Sequence, residues 1–145
     1  MKIKMQKKTT LSREKRPEYY IEAVGRRKTA RARVRVYPNH KKLEIEVNGK
    51  VFTKYFPLKK EHLTVSAPFN ATDLGLKTTV KVEGGGLSAQ SEAIRLGIAR
   101  ALTFIKPDSR SKLKALGFLK RDPRMVERKK YGSRKARRPQ QWRKR

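Results

Sequence analysis

The chain has 145 residues, 40 basic and 12 acidic, for a formal net charge of +28 and a pI near 11. That length suggests one domain with tails, and that charge would strain a compact fold by self-repulsion unless a polyanion such as nucleic acid neutralises it. No cysteine is present, so disulfides, thiolate metal sites and cysteine nucleophiles are excluded, and no apolar run approaches the length of a spanning helix, so no membrane insertion is expected, an anionic membrane surface standing second to nucleic acid as a partner.

The charge is unevenly placed. Residues 1–35 carry 13 basic and 3 acidic residues, residues 36–119 carry 14 and 7, and residues 120–145 carry 13 and 2. The middle therefore reads as a globular body and the ends as arms. Residues 1–17 read as a flexible basic lead, 18–119 as a globular α+β domain, and 120–145 as an extended basic tail. No apolar segment follows Met1, so no secretory signal is expected. The lead is rich in Lys and Arg, with Glu14 its only acid, as in a mitochondrial transit segment. It is short and has no clear amphipathic stripe, and this reading is subordinate.

Residues 19–24 read as a first strand. From Ala30 to Val36 apolar and basic residues alternate: Ala30, Ala32, Val34 and Val36 on one face, Arg31, Arg33 and Arg35 on the other. Period two means a strand with one buried side. Leu43, Ile45 and Val47 alternate with Glu44 and Glu46 in the same way. Pro38 and Asn39 lie between the two runs as turn residues, so the pair reads as an antiparallel hairpin. In that reading the three arginines would pair with Glu44 and Glu46 across the strands. An excess of arginine would remain to meet phosphate, with Arg26, Arg27 and Lys28 just before the strand.

Asn48-Gly49 is a turn signal. Residues 51–56 and 58–67 read as two short helices split by Pro57, with Phe52, Tyr55, Phe56, Leu58, Leu63 and Val65 facing the sheet. Residues 67–76, with Pro68 and Gly75, read as a connection. Leu76, Thr78, Val80 and Val82 then alternate as the fourth strand. After three glycines the strongest helix pattern runs over residues 88–105, with Ile94, Ile98, Ala101 and Ile105 as its apolar stripe. Ala93, Gly97 and Ala101 form a row of small residues that would let the helix approach a sheet closely. Pro107 ends it, Asp108 would cap a shorter helix, and Gly117 would end that one. The fold expected is α+β, a four-stranded sheet with helices packed on one face.

Catalytic patterns are weak. Gly84, Gly86 and Ala89 satisfy a dinucleotide fingerprint between a strand and a helix, with Asp108 at a tolerable distance for a ribose carboxylate. Asp108 opens another helix and no second parallel strand completes the unit, so no nucleotide cofactor is expected. Gly84, Gly85 and Gly86 fit better as a tight corner, where helix N–H groups can meet an RNA phosphate. Lys28-Thr29 lacks the spaced glycine of a P-loop. His40 reads as solvated, His62 as exposed or facing RNA, and neither has ligand spacing. No cofactor, metal or enzymatic step is expected.

The tail carries the opposite signal. Ten of the 18 residues from Arg128 to Arg145 are basic. Such a run is more often a solvated arm, but several runs in one chain favour RNA. Arg121, Arg124, Arg128, Lys129, Lys130, Arg134, Lys135, Arg137 and Arg138 can neutralise phosphates, and Tyr131 and Trp142 can stack on unpaired bases. Fully extended, residues 128–145 would reach roughly 60 Å at about 3.3 Å per residue. Charge alone also permits a free RNA chaperone or DNA-compacting protein.

Three stretches, AVGRRKTARARV, VEGGGLSAQSEAIRLGIARAL and DPRMVERKKYGSRKARRPQQWRKR, resemble in sequence and order the ribosomal small-subunit protein nine family over residues 19–145. The resemblance implies an α+β fold of the ribosomal protein five second-domain type, with a left-handed β-α-β crossover. It implies a cytoplasmic ribosomal protein of the small-subunit head, bound to ribosomal RNA and neighbouring head proteins. It extends the ribosomal-RNA-binding set from Arg26, Arg27, Lys28, Arg31 and Arg33 through the glycine corner and Gln90 to the tail. It places the last two residues, Lys144 and Arg145, against transfer RNA in the peptidyl site. The family's bacterial ending has an aromatic and then a serine before that pair; here Trp142 keeps the aromatic and Arg143 replaces the serine.

Overall fold

The computed structural model describes residues 19–40 and 42–144. The lead and Arg145 lie outside these residues. The elements in chain order are β1 (Ile21–Arg27), β2 (Ala30–Tyr37), β3 (Glu44–Val47), β4 (Lys50–Val51), α1 (Phe52–Tyr55), α2 (Lys59–Thr72), β5 (Lys77–Glu83), α3 (Leu87–Ile105) and α4 (Ser109–Ala115). They form a mixed α+β structure around a five-stranded sheet of order β1-β2-β5-β3-β4. The strand beyond the expected four is β4, a two-residue segment that pairs with β3 just past the Asn48-Gly49 turn.

The alternation in β2 sorts its side chains as the sequence dictates. Ala30, Ala32, Val34 and Val36 are buried, while Arg31 and Arg33 are exposed. The pairing expected of β2 is corrected. It bonds to β1 on one side and β5 on the other, both antiparallel, and β5 separates it from β3. β3 runs parallel to β5, so α1 and α2 form the crossover of a β-α-β unit. Local alternation fixes which face is buried but not which strand lies alongside. Asn48 extends the β3–β5 ladder: its backbone N–H donates to the Val80 carbonyl at 2.9 Å. Its side-chain amide also donates to the Val82 carbonyl and accepts from the Val82 N–H, both at 2.9 Å.

The helices carry two further corrections. α2 continues through Pro68 to Thr72, where a connection was expected. Pro68 lacks the N–H that would continue the ladder, yet it is fully buried, and packing outweighs the lost bond. Leu58 and Leu63 do not face the sheet; they are 60% and 69% exposed. Phe56 and Val65 are buried in the core, as expected, with Phe52 and Tyr55 half-buried against it.

α3 packs across β1 and β2, and α2 packs against α3. The small-residue row makes this contact close. A Cβ on Gly25 would lie 1.8 Å from the Ala93 carbonyl oxygen, and one on Gly97 would lie 2.6 Å from Val34 Cγ2. Asp108 stands at the start of α4 but makes no capping bond; the Ser109 hydroxyl donates to the Lys106 carbonyl at 2.6 Å. Gly117, at φ +73°, ends that turn as expected.

Residues 120–144 contain no helix or strand. They are not uniformly extended. Arg134 N–H donates to the Arg138 carbonyl at 2.8 Å, and Lys135 and Arg138 form a single bridge. Glu127 pairs with Arg137 through two hydrogen bonds and with Lys130 at 3.8 Å. This loop shortens the reach that a fully extended tail would have.

Candidate nucleic-acid interface

Among the described residues, the helices lie on one side of the sheet and leave Val24, Arg31, Arg33 and Lys81 exposed on the other. Strand register sets its side chains in rows. Glu22 lies opposite Arg35, Val24 opposite Arg33, and Arg26 opposite Arg31. On the other side of β2, Arg35 faces Thr79, Arg33 faces Lys81 and Arg31 faces Glu83. Two directly opposed pairs, Arg26–Arg31 and Arg33–Lys81, therefore carry like charges. Such pairs destabilise a free sheet. They border an open depression of about 640 Å³, lined also by Glu46, Asn48 and Gly49.

Acidic partners neutralise only part of this face. Glu22 reaches Arg35 at 2.8 Å and Arg33 at 3.4 Å. The cross-strand pairing with Glu44 and Glu46 that a β2–β3 hairpin would allow is corrected: β5 stands between the two strands, and Glu44 pairs with Lys42 at 3.0 Å. The hydrogen bond to Glu22 raises the Arg35 pKa above its ordinary value, and Lys42 lowers that of Glu44. Arg35 also lies over the Tyr20 ring at 4.7 Å. Lys81 also belongs to the basic face, which the sequence predicts from Arg31, Arg33 and Arg35 alone. Alternation puts it on the polar side of β5, and only strand order shows that it shares a surface with the β2 arginines.

Lys28 sits at the β1–β2 turn in the left-handed region, φ 49°, with its side chain exposed. Arg27 is different. Its side chain is only 13% exposed and pairs with Glu92 at 2.6 Å and Asp122 at 3.1 Å.

The glycine corner joins β5 to α3. Gly84 and Gly85 have φ of +71° and +65°, and a Cβ on Gly84 would lie 2.8 Å from the Thr29 carbonyl oxygen. Gly86 has extended backbone and opens α3. Gln90 is 8% exposed. Its amide donates to the Gly84 carbonyl at 3.1 Å and accepts from the Tyr55 hydroxyl at 2.9 Å, which braces the corner from inside. His62 is likewise engaged internally, with Nε2 2.7 Å from the Phe56 carbonyl oxygen.

In the tail, Arg121, Arg124, Arg128, Lys129, Lys130, Arg134, Lys135, Arg137, Arg138 and Lys144 are all exposed. So are Tyr131 and Trp142, whose rings lie open to solvent. Asp122 accepts from the Arg124 side chain and N–H, which holds its carboxyl well below the usual range. Arg137 lowers the Glu127 pKa in the same way. Arg145 lies outside the described residues. The structure thus gathers three basic zones: the open sheet face, the glycine corner with Lys28, and the tail. Among the described residues, no group of three or more His, Cys, Asp or Glu residues could hold a metal ion. None of the described helices is long and apolar enough to cross a membrane.

Comparison with known proteins gives a consistent result. The chain is 50% identical over 130 residues to the small ribosomal subunit protein uS9 of Thermus thermophilus, covering 88% of this chain and 98% of that protein. It is 49% identical over 125 residues to its counterpart in Lawsonia intracellularis, covering 85% of this chain and 95% of that one. To the Mycolicibacterium paratuberculosis protein it is 48% identical over 127 residues, covering 86% of this chain and 75% of that protein. The family model "Ribosomal protein S9/S16" matches residues 25–145, and the chain belongs to that family.

Proposed function

We propose that the protein is a structural, non-enzymatic constituent of the small ribosomal subunit that supports translation by binding. Its open sheet face, its glycine corner and its tail hold ribosomal RNA in the subunit head, beside neighbouring head proteins. The parallel β3–α1–α2–β5 crossover fits the ribosomal protein five second-domain type of fold. The tail continues to the peptidyl site, where Lys144 and Arg145 meet the transfer RNA backbone.

The observation that carries this reading is the pair of like-charge register positions, Arg26–Arg31 and Arg33–Lys81, on a sheet face that no described helix covers. A free sheet gains nothing from them. A phosphate backbone laid across the rows turns the repulsion into attraction and releases counterions. Arginine suits this work because its planar guanidinium bonds phosphate oxygens in pairs. The tail acts by the same physics, with exposed cations for phosphates and open rings for unpaired bases. No bond is made or broken.

The test is sedimentation of tagged protein from cell extract through a sucrose gradient at high salt. One copy per small subunit, retained in salt, is the expected result. Release to the top, or spread over all RNA fractions, would instead indicate a loosely bound RNA or DNA chaperone.

A further inference from the structure

Arg27 ends β1, and its three guanidinium nitrogens each take a different partner. Nε donates to Glu92 at 2.6 Å on α3, and Nη1 donates to the Arg124 carbonyl at 2.7 Å. Nη2 pairs with the Asp122 carboxylate at 3.1 Å. The first partner belongs to the body and the other two to the start of the tail. A basic residue near the β1–β2 turn reads as a phosphate ligand in the sequence. Here its side chain is largely covered, and its donors are committed within the chain.

The two tail partners flank Pro123. Proline fixes its own φ and holds the preceding residue to extended backbone. Pinning the side chain of Asp122 and the carbonyl of Arg124 on either side of that stiff residue sets a position and a direction. Asp122 itself is braced by Arg124, whose N–H and side chain both donate to it. Beyond Arg124, the ion pairs of Glu127 join tail residues to one another.

The geometry points to Arg27 as a positioning residue for the tail: it ties residues 122–124 to the start of α3 and fixes the direction in which residues 125–144 leave the body. This rests on the proposed function only for the tail's destination. The exit angle itself is a property of the chain alone. A lysine cannot substitute, because one ammonium does not present the planar fork that meets three partners in separate directions.

The chain has no cysteine, so two can be introduced cleanly for spin labels. Ser88→Cys on exposed α3 surface and Val126→Cys, at a residue 90% exposed, span the latch. In the otherwise unaltered full-length chain, pulsed electron-electron resonance should give one narrow distance distribution. Arg27→Met should lose it for a broad one, with thermal unfolding monitored to confirm that the body remains folded. Should Arg27→Met fail to fold, Asp122→Ala decides the matter, since it removes a partner from the tail side and leaves the core untouched. A distribution already broad in the parent overturns the latch. So does a narrow one that survives the change at Arg27 or, where that variant does not fold, at Asp122. The distances are read without RNA, so failure here leaves the ribosomal reading standing, and failure of the sedimentation test leaves the latch standing.

Discussion

Gly25 shows how far a single residue can set the structure. It lies in mid-strand under α3, and any Cβ there would meet the Ala93 backbone at 1.8 Å. Because a backbone carbonyl cannot rotate aside, Gly25→Ala must push α3 off the sheet. We expect a loss of about 3 kcal/mol, the upper end for overpacking, read as a lower urea midpoint. At Asp122 the residue scale gives a pH prediction. Hydrogen bonds from Arg124 depress its folded pKa, so the folded chain takes up that proton less readily than the unfolded one. Its contribution is present above the ordinary carboxylate pKa and fades as pH falls through the depressed value. NMR titration should find the Asp122 carboxylate still ionised at pH values where an unpaired aspartate is protonated, and a midpoint moved only part of the way back in Arg124→Ala, where the backbone N–H of residue 124 and the Arg27 guanidinium still hold it.

At the scale of elements, the sheet is built with a conflict on its open side. Arg26 faces Arg31 and Lys81 faces Arg33 across strand boundaries. Replacing Arg26 and Lys81 by glutamine should raise the urea midpoint of the free protein, since each change removes a like-charge pair. The same variants should bind small-subunit RNA less tightly, with the slope of log affinity against log salt falling by about one per lost phosphate contact. Opposite signs in the two measurements are the signature of a face shaped for a polyanion. Loss of stability together with unchanged RNA affinity would assign these residues to the fold alone. The element scale also explains the mistaken hairpin. Alternation in β2 and β3 reports burial, and both strands are buried on one side, but β5 enters between them from 33 residues after β3 begins.

At the scale of the whole molecule, a folded body carries an arm of 25 described residues, 120–144, with neither helix nor strand. The arm cannot stabilise itself by burial, since Met125, Val126, Tyr131 and Trp142 all lie open to solvent. Its order depends on the latch at its base, the Glu127 loop within it and, on the proposed reading, RNA along it. Deleting residues 142–145 should leave one copy per subunit in the gradient. It should weaken transfer RNA binding in the peptidyl site about five-fold, as expected for about 1 kcal/mol of exposed charge contact. Equal filter binding by truncated and intact subunits would show that the terminal residues are dispensable there.

The sequence alone determined the α+β class, the buried faces of β2 and β5, the span of α3, its close approach through Gly97, and the basic zones at both ends. Each is written in local periodicity or composition, which neighbours along the chain enforce. The family was legible too, from three motifs in order. Strand order, the passage of α2 through Pro68, the inward use of Gln90, and the partners of Arg27 and Arg33 were decided only by tertiary structure. These depend on residues far apart in sequence: Glu92 lies 65 positions from Arg27 and Arg124 lies 97. An arginine in a sequence shows its charge. Whether that charge meets a phosphate, a glutamate or the carbonyl of its own tail depends on which distant groups the packed helices and strands bring within reach.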